Sequence, residues 1–241
     1  MERSRIAVAG ASGLIGSALV RSLAADGHEV VRLVRREPRG ADEVRWDPQR
    51  RYVDTAGLAG CDAVVNLAAA GVGDRRWTPE YKRLLRDSRV LGTAALAEAV
   101  AALPEPPRVF VNGSAIGFYG ETGDRVVDED APPGDGRQYW SYIALHDEVA
   151  ALRHLLDRAD LSGPFNLTAP QPLTNREITA AMGRVLHRPA VCAVPAPVLR
   201  AVLGEMAGDV LGSQRVVPRR LLESGFRFAF PGIDEAIRAA G

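Results

Sequence analysis

A doubly wound α/β fold on a parallel sheet, followed by a small, mainly helical C-terminal region, is the architecture this sequence predicts. Three features predict it. A Val- and Ala-rich strand runs into a glycine-spaced turn and then a helix; short apolar strands alternate with amphipathic helices over residues 1–170; and residues 171–241 carry helical signals with hardly any strand.

The first strand is Arg5-Ile6-Ala7-Val8-Ala9, and the turn is Gly10-Ala-Ser-Gly-Leu-Ile-Gly16. The helix that follows is marked by Leu14, Ile15, Ala18, Leu19 and Leu23. Gly10 permits the tight turn, Gly13 lets the backbone approach a pyrophosphate, and Gly16 lets the helix lie close to the sheet. Ser12, Leu14 and Ile15 belong to the same rim, where free N–H groups and the helix dipole favour phosphate. This unit predicts a bound dinucleotide. Gly27 closes the helix, and Glu29-Val30-Val31-Arg32-Leu33-Val34 is the second strand. Strands at Ala63–Leu67 and Arg108–Asn112 follow, with a helix from about Ser88 to Ala102 between them carrying Leu91, Ala94, Ala95 and Ala99 on one face. The breaker Pro104-Glu105-Pro106-Pro107 leads into the later strand. This alternation reads as right-handed βαβ crossovers, the Rossmann-type arrangement.

Further on, Leu145–Asp157 is helical through Val149, Leu152, Leu155 and Leu156, and leads to a last strand, Pro164–Thr168. Thr174-Asn175-Arg176-Glu177 has the capping-box spacing and opens a helix reaching about His187. A helical segment beyond Pro195, another at Val217–Ser224 ended by Gly225, an extended Phe226-Arg227-Phe228 and a final helix Ile233–Ala240 complete the chain. The helical C-terminal region is expected to form a lid or substrate-side core.

Composition narrows the function. Thirty basic and thirty acidic residues balance, so no electrostatic case exists for nucleic acid or an anionic membrane surface. Two cysteines, Cys61 and Cys192, suggest neither a disulfide framework nor a CxxC metal site. His28, His154 and His187 lack metal-ligand spacing, so no metal is expected. Met1 leads directly into the first strand and no run of eighteen apolar residues follows, which predicts a soluble, cytoplasmic protein. Lys82 is the sole lysine.

The second strand bears on the choice of coenzyme. An acidic residue at its end would bind the adenosine ribose 2′-OH of NAD; here Val34-Arg35-Arg36 stands in that place. A guanidinium suits a 2′-phosphate, so Arg35 and Arg36 favour NADP over NAD. Ala68-Ala69-Ala70-Gly71, at the carboxyl edge of the third predicted strand, is a small-residue wall along the coenzyme, and Leu67 before it counts with Ala68, Ala69 and Ala70 among the coenzyme contacts.

At this point the runs Gly10–Gly16, Asp62–Ala69, Arg76-Trp77-Thr78, Ser88–Thr93 and Ser114-Ala-Ile-Gly-Phe-Tyr-Gly120 resemble the extended short-chain dehydrogenase/reductases. More narrowly they resemble the atypical, sugar-nucleotide-epimerase-like branch with a short C-terminal domain of unknown function. Asp128–Pro133, Gly136–Ser141, Asn166–Pro170, Leu203–Met206 and Ser224–Phe228 extend the resemblance along nearly the whole chain. It implies hydride exchange with a nicotinamide on a nucleotide-sugar-like or small carbonyl substrate, and a coenzyme contact at Ser88. A homo-oligomer is compatible with it.

The resemblance also exposes a departure. The family's Tyr-x-x-x-Lys pair, in which the Tyr exchanges a proton and the Lys lowers its pKa, cannot exist here, because Lys82 directly follows Tyr81. Where relatives carry the catalytic helix, a fifth strand and a substrate loop, Pro132-Pro133-Gly134 runs within two residues into Gly136-Arg137-Gln138. The absent piece exceeds a βαβ crossover of about 30 residues. Two outcomes satisfy this. Either Leu145–Asp157 becomes the crossover and Phe165–Thr168 pairs beside Val109–Asn112, in a five-stranded sheet ordered 3-2-1-4-then-last, or the sequence omits residues of the natural polypeptide. The remaining catalytic candidates are Ser114, after the fourth predicted strand, which could instead cap the turn backbone, and Tyr119, which reads more readily as packing under the loop. Tyr142 with His146, and the carboxylates Asp128, Glu129 and Asp130, are weaker acid/base candidates, the last three reading more readily as a solvated acidic turn. An NADP-binding module without turnover, acting through a partner or as a redox-ratio sensor, is the alternative function.

Overall fold

The computed structural model describes residues 3–119, 122, 124–130, 139–185, 187, 201, 204–208 and 212–240. The chain divides into two compact units, residues 1–114 with 155–159 and residues 115–154 with 160–241.

The first unit is built on β1 (Arg5–Ala9), β2 (Glu29–Val34), β3 (Glu43–Asp47), β4 (Tyr52–Val53), β5 (Ala63–Asn66) and β6 (Val109–Asn112), with α1 (Leu14–Ala25), α2 (Thr55–Leu58) and α3 (Pro79–Ala101) between them. The sheet order is β4-β3-β2-β1-β5-β6. All pairings are parallel except β3 with β4, so the carboxyl ends of β1, β2, β5 and β6 share one edge. β1 and β5 are buried along nearly their whole length, which explains their unbroken apolar runs. Their side chains join Val31, Leu33, Val44, Trp46, Leu58, Leu96 and Ala99 in one core.

The predicted doubly wound fold stands, with three corrections in the sheet and its helices. The strand beside β2 is β3, which the sequence reading did not propose, and Ala63–Asn66 lies on the far side of β1. β3 earns its place by alternation: Val44 and Trp46 are buried between Glu43, Arg45 and Asp47. α3 begins at Pro79, well before Ser88, because Thr78 caps it by accepting the Tyr81 N–H and Pro79 suits the first helical position. Phe165–Thr168 is not a strand, and among the described residues β6 pairs only with β5. The segment's polar groups are taken within its own unit: Asn166 N–H donates to Glu129 and the Thr168 hydroxyl to the Val216 carbonyl. The junction at 134–136, Cys192 and most of the segment beyond Pro195 lie outside the described residues.

The second unit contains a two-stranded antiparallel ribbon, β7 (Tyr139–Trp140) with β8 (Leu173–Thr174), and the helices α4 (Leu145–Asp157, whose last three residues fall in the first unit), α5 (Asn175–Val185), α6 (Arg219–Glu223) and α7 (Ile233–Ala239). The capping box is formed as predicted: Thr174 Oγ1 accepts the Glu177 N–H, and Glu177 accepts the Thr174 N–H. Among the described residues two small apolar clusters lie here, Tyr119 with Val127 and Val216, and Ala151 with Leu221 and Phe226. Buried polar side chains do the remaining tying. Asp147, 0 % exposed, accepts the N–H groups of Ala229 and Phe230, each at 2.9 Å. Glu129, 8 % exposed, accepts the Asn166 N–H at 2.9 Å.

Candidate functional site

The predicted glycine turn forms at the carboxyl edge of the first unit's sheet. Gly10 has φ +79°, and a Cβ there would stand 2.7 Å from the Leu67 carbonyl carbon and 2.8 Å from Ala68 N, so the turn backs directly onto the wall after β5. At Gly16 a Cβ would meet the Gly10 carbonyl oxygen at 2.1 Å. Gly13 closes the turn by donating its N–H to Gly10 O at 3.0 Å, and its own Cβ position is open apart from that oxygen at 3.4 Å. Two glycines are therefore required by the fold, and Gly13 leaves the space in front of the helix clear.

α1 starts without a side-chain cap and without an acidic residue in its first turn. Among the described residues, the N–H groups of Leu14, Ile15 and Gly16 meet no acceptor. Ser12 is exposed at the turn, and Leu14 is 75 % exposed at the helix entrance. Three unsatisfied donors with the positive helix end behind them suit an anion's oxygens.

The wall Leu67–Gly71 is fixed by side chains to which sequence reasoning gave no such role; Ser88, expected there as a coenzyme contact, is one of them. Asn66, 4 % exposed, accepts the Ala68 N–H at 3.2 Å and donates to Asn112 Oδ1 at 2.8 Å. Thr93 donates to the same Asn112 oxygen at 2.9 Å. Tyr81 donates its hydroxyl to Gly71 O at 2.6 Å, Trp77 donates to Val72 O at 2.9 Å, and Arg89 donates to Ala70 O at 3.3 Å. Ser88 Oγ accepts the Ala70 N–H at 3.1 Å and donates to Leu85 O at 3.0 Å, so this hydroxyl braces the wall from behind. The available signal was an Asn closing each of two otherwise apolar strands.

At the end of β2 the two arginines differ. Arg36 forks onto Glu43, whereas exposed Arg35 has no side-chain partner among the described residues. Ser114, exposed two residues beyond β6, makes no side-chain hydrogen bond among the described residues. Tyr119 lies in the second unit, 4 % exposed, donating its hydroxyl to Asn166 Oδ1 at 3.0 Å. Burial foremost, with the carboxylates of Glu129 and Asp128, pushes its phenol above the usual range, against the bond to Asn166.

The weaker acid/base candidates find other partners. Tyr142 donates to the Pro231 carbonyl at 3.3 Å, and His146 stands edge-on to Phe230. Asp128 and Asp130 pair with Arg219, Asp130 also with Arg220, and Glu129 is buried; the expected solvated acidic turn is a tied one. The described residues hold no group of three His, Cys, Asp or Glu able to bind a metal, and no helix long and apolar enough to cross a membrane.

Comparison with known proteins bears on this edge. Residues 6–191 match the NAD dependent epimerase/dehydratase family, and residues 194–240 match a domain of unknown function, DUF1731. An epimerase family protein of Mycobacterium leprae is 38% identical, over 98% of this chain and 95% of its own length. That alignment runs over 293 positions where this chain has 241 residues, so at least 52 of them stand opposite no residue here. The crystal structure of human epimerase family protein SDR39U1 with NADPH is 28% identical with a TM-score of 0.87, covering 97% of this chain and 98% of that one. A nucleoside-diphosphate sugar epimerase of Corynebacterium glutamicum is 26% identical with a TM-score of 0.76, covering 99% of this chain and 58% of that one. With most of its length matched by the family model and by relatives of this identity, the chain belongs to the NAD dependent epimerase/dehydratase family and carries a DUF1731 segment at its C-terminus.

Proposed function

We propose that the protein binds NADP through its first unit and acts as an oxidoreductase or epimerase on a nucleotide-sugar-like or small carbonyl substrate. One observation carries the binding reading: three unbonded N–H groups at the α1 entrance, in front of a turn that only glycines can form. Leu14, Ile15 and Gly16 would donate to the pyrophosphate, and Ala68–Ala70, braced from α3, would line the coenzyme. Arg35 would take the adenosine 2′-phosphate. The solved human relative bound to NADPH supports this preference. The bound nicotinamide would supply hydride exchange. Ser114, at the same sheet edge, would hydrogen-bond the reacting oxygen.

A second reading, nucleotide binding without turnover, has its own observation. The sole lysine adjoins Tyr81, whose hydroxyl is spent on the Gly71 carbonyl, so no Tyr-Lys pair in this chain can exchange a substrate proton. The alignment shortfall exceeds the size of the crossover that the sequence reading finds missing at 134–136. Fluorescence titration with NADPH and NADH tests binding: wild type should prefer NADPH, and Gly13→Val should weaken both by about a hundredfold, since a branched side chain fills the pyrophosphate's place. Equal affinity for the two coenzymes, or an indifferent Gly13→Val, would refute it. Turnover of nucleotide sugars by a protein of confirmed intact mass separates the enzyme from the silent module.

A further inference from the structure

The loop joining β2 to β3 contains a charge arrangement that the coenzyme reading leaves unused. Arg36 Nη1 donates to Glu43 Oε2 at 2.6 Å and Nη2 donates to Oε1 at 2.5 Å, a two-pronged pair closing the loop. Glu43 Oε2 also accepts the backbone N–H of Arg39 at 2.7 Å, and Arg36 Nη1 reaches the Glu37 carbonyl at 2.9 Å. The Glu43 side chain is 13% exposed, against 44% for Arg36. Arg45 with Glu37 and Arg32 with Asp42 lace the same loop. At the strand end both arginines are exposed, and Arg35 has no side-chain hydrogen bond or ion pair among the described residues.

Resting on the NADP reading above, we propose that Glu43 is a positioning residue for coenzyme choice: by clamping Arg36 and the Arg39 N–H it sets the loop, leaving Arg35 to receive the 2′-phosphate. A guanidinium forked onto a carboxylate is already neutralised and cannot take a phosphate without abandoning that pair. The same pairing offsets the negative charge of Glu43, which would otherwise repel the phosphate. Arg36, a coenzyme ligand in the sequence reading, becomes the loop's latch.

The rival, in which Arg36 binds the phosphate and Glu43 competes for it, predicts the opposite sign, so one substitution decides. The readout is the ratio of NADPH to NADH affinity, from calorimetry on the full chain. General loosening of the fold does not move this ratio, because the coenzymes differ only in the 2′-phosphate. Glu43→Gln should lower the ratio about threefold to tenfold; a ratio that rises or stays put overturns the proposal. The exchanged pair, Arg36→Glu with Glu43→Arg, guards against a misfolded single variant. It should hold the ratio within about threefold of wild type, and a ratio near one overturns the latch. Arg35→Ala should reduce the ratio at least about tenfold. If wild type prefers NADPH and Arg35→Ala keeps that preference, the latch proposal fails while the NADP reading survives. A wild type that binds neither coenzyme, or both equally, sinks the NADP reading and the proposal with it.

Discussion

The two units are held together by different physics. In the first, a parallel ladder and one continuous apolar core of Val, Ala, Leu and Trp side chains set the fold, and most contacts follow from strands a crossover apart. In the second, the apolar clusters among the described residues are small, and buried side chains reach backbone groups far along the chain. Asp147 ties the N–H groups of Ala229 and Phe230, and Glu129 ties that of Asn166. Loss of one methyl group is absorbed in the first kind of unit more readily than loss of one carboxylate in the second.

Three experiments press on this contrast. The largest effect belongs to Gly16→Ala, where the new Cβ would stand 2.1 Å from a backbone oxygen with no flexible neighbour to yield. It should cost about 3 kcal/mol or more in urea unfolding; a variant as stable as wild type would mean the turn is not as tight as described. Next, Asp147→Ala removes a fully buried carboxylate and the acceptor of the Ala229 and Phe230 N–H groups and should cost about 2–4 kcal/mol, far beyond an ordinary surface change. An effect under about 1 kcal/mol would show that the second unit does not depend on that carboxylate. The third concerns pH. Glu148 on α4 is half-buried without a side-chain partner among the described residues, and desolvation pushes its carboxyl up to about 7. The folded state then keeps a proton that the unfolded chain releases near 4.5, so stability falls as pH rises from about 4.5 to about 7 and levels above that. The full loss is at most about 3 kcal/mol, and Glu148→Gln should flatten that part of the profile. An unchanged slope in the variant would assign the pH dependence elsewhere.

The contrast also explains what could be read from the sequence. The strand–turn–helix at Arg5–Ala25 was legible because its signals are local: an apolar run, glycines at fixed offsets and a periodic helix. The capping box at Thr174–Glu177 was legible for the same reason. β3 escaped because charged residues interrupt it, although Val44 and Trp46 alternate correctly. Phe165–Thr168 looked like a strand from its own residues, but its partners are Glu129, Val216 and Val217, set by distant chain. At the site, the glycine cradle was visible and its bracing was not, since Asn66 and Asn112 meet across 46 residues.

That amide pair has a consequence for how the sheet assembles. The strands that carry it, Ala-Val-Val-Asn and Val-Phe-Val-Asn, are so uniformly greasy that sliding one past the other by a step would hardly alter what they bury. Joined at their tips, the two carboxamides act as a stop at the end of the zip. Any misaligned pairing leaves the buried Asn66 carboxamide without its partner, so a slipped intermediate would be short-lived and the alignment would correct itself.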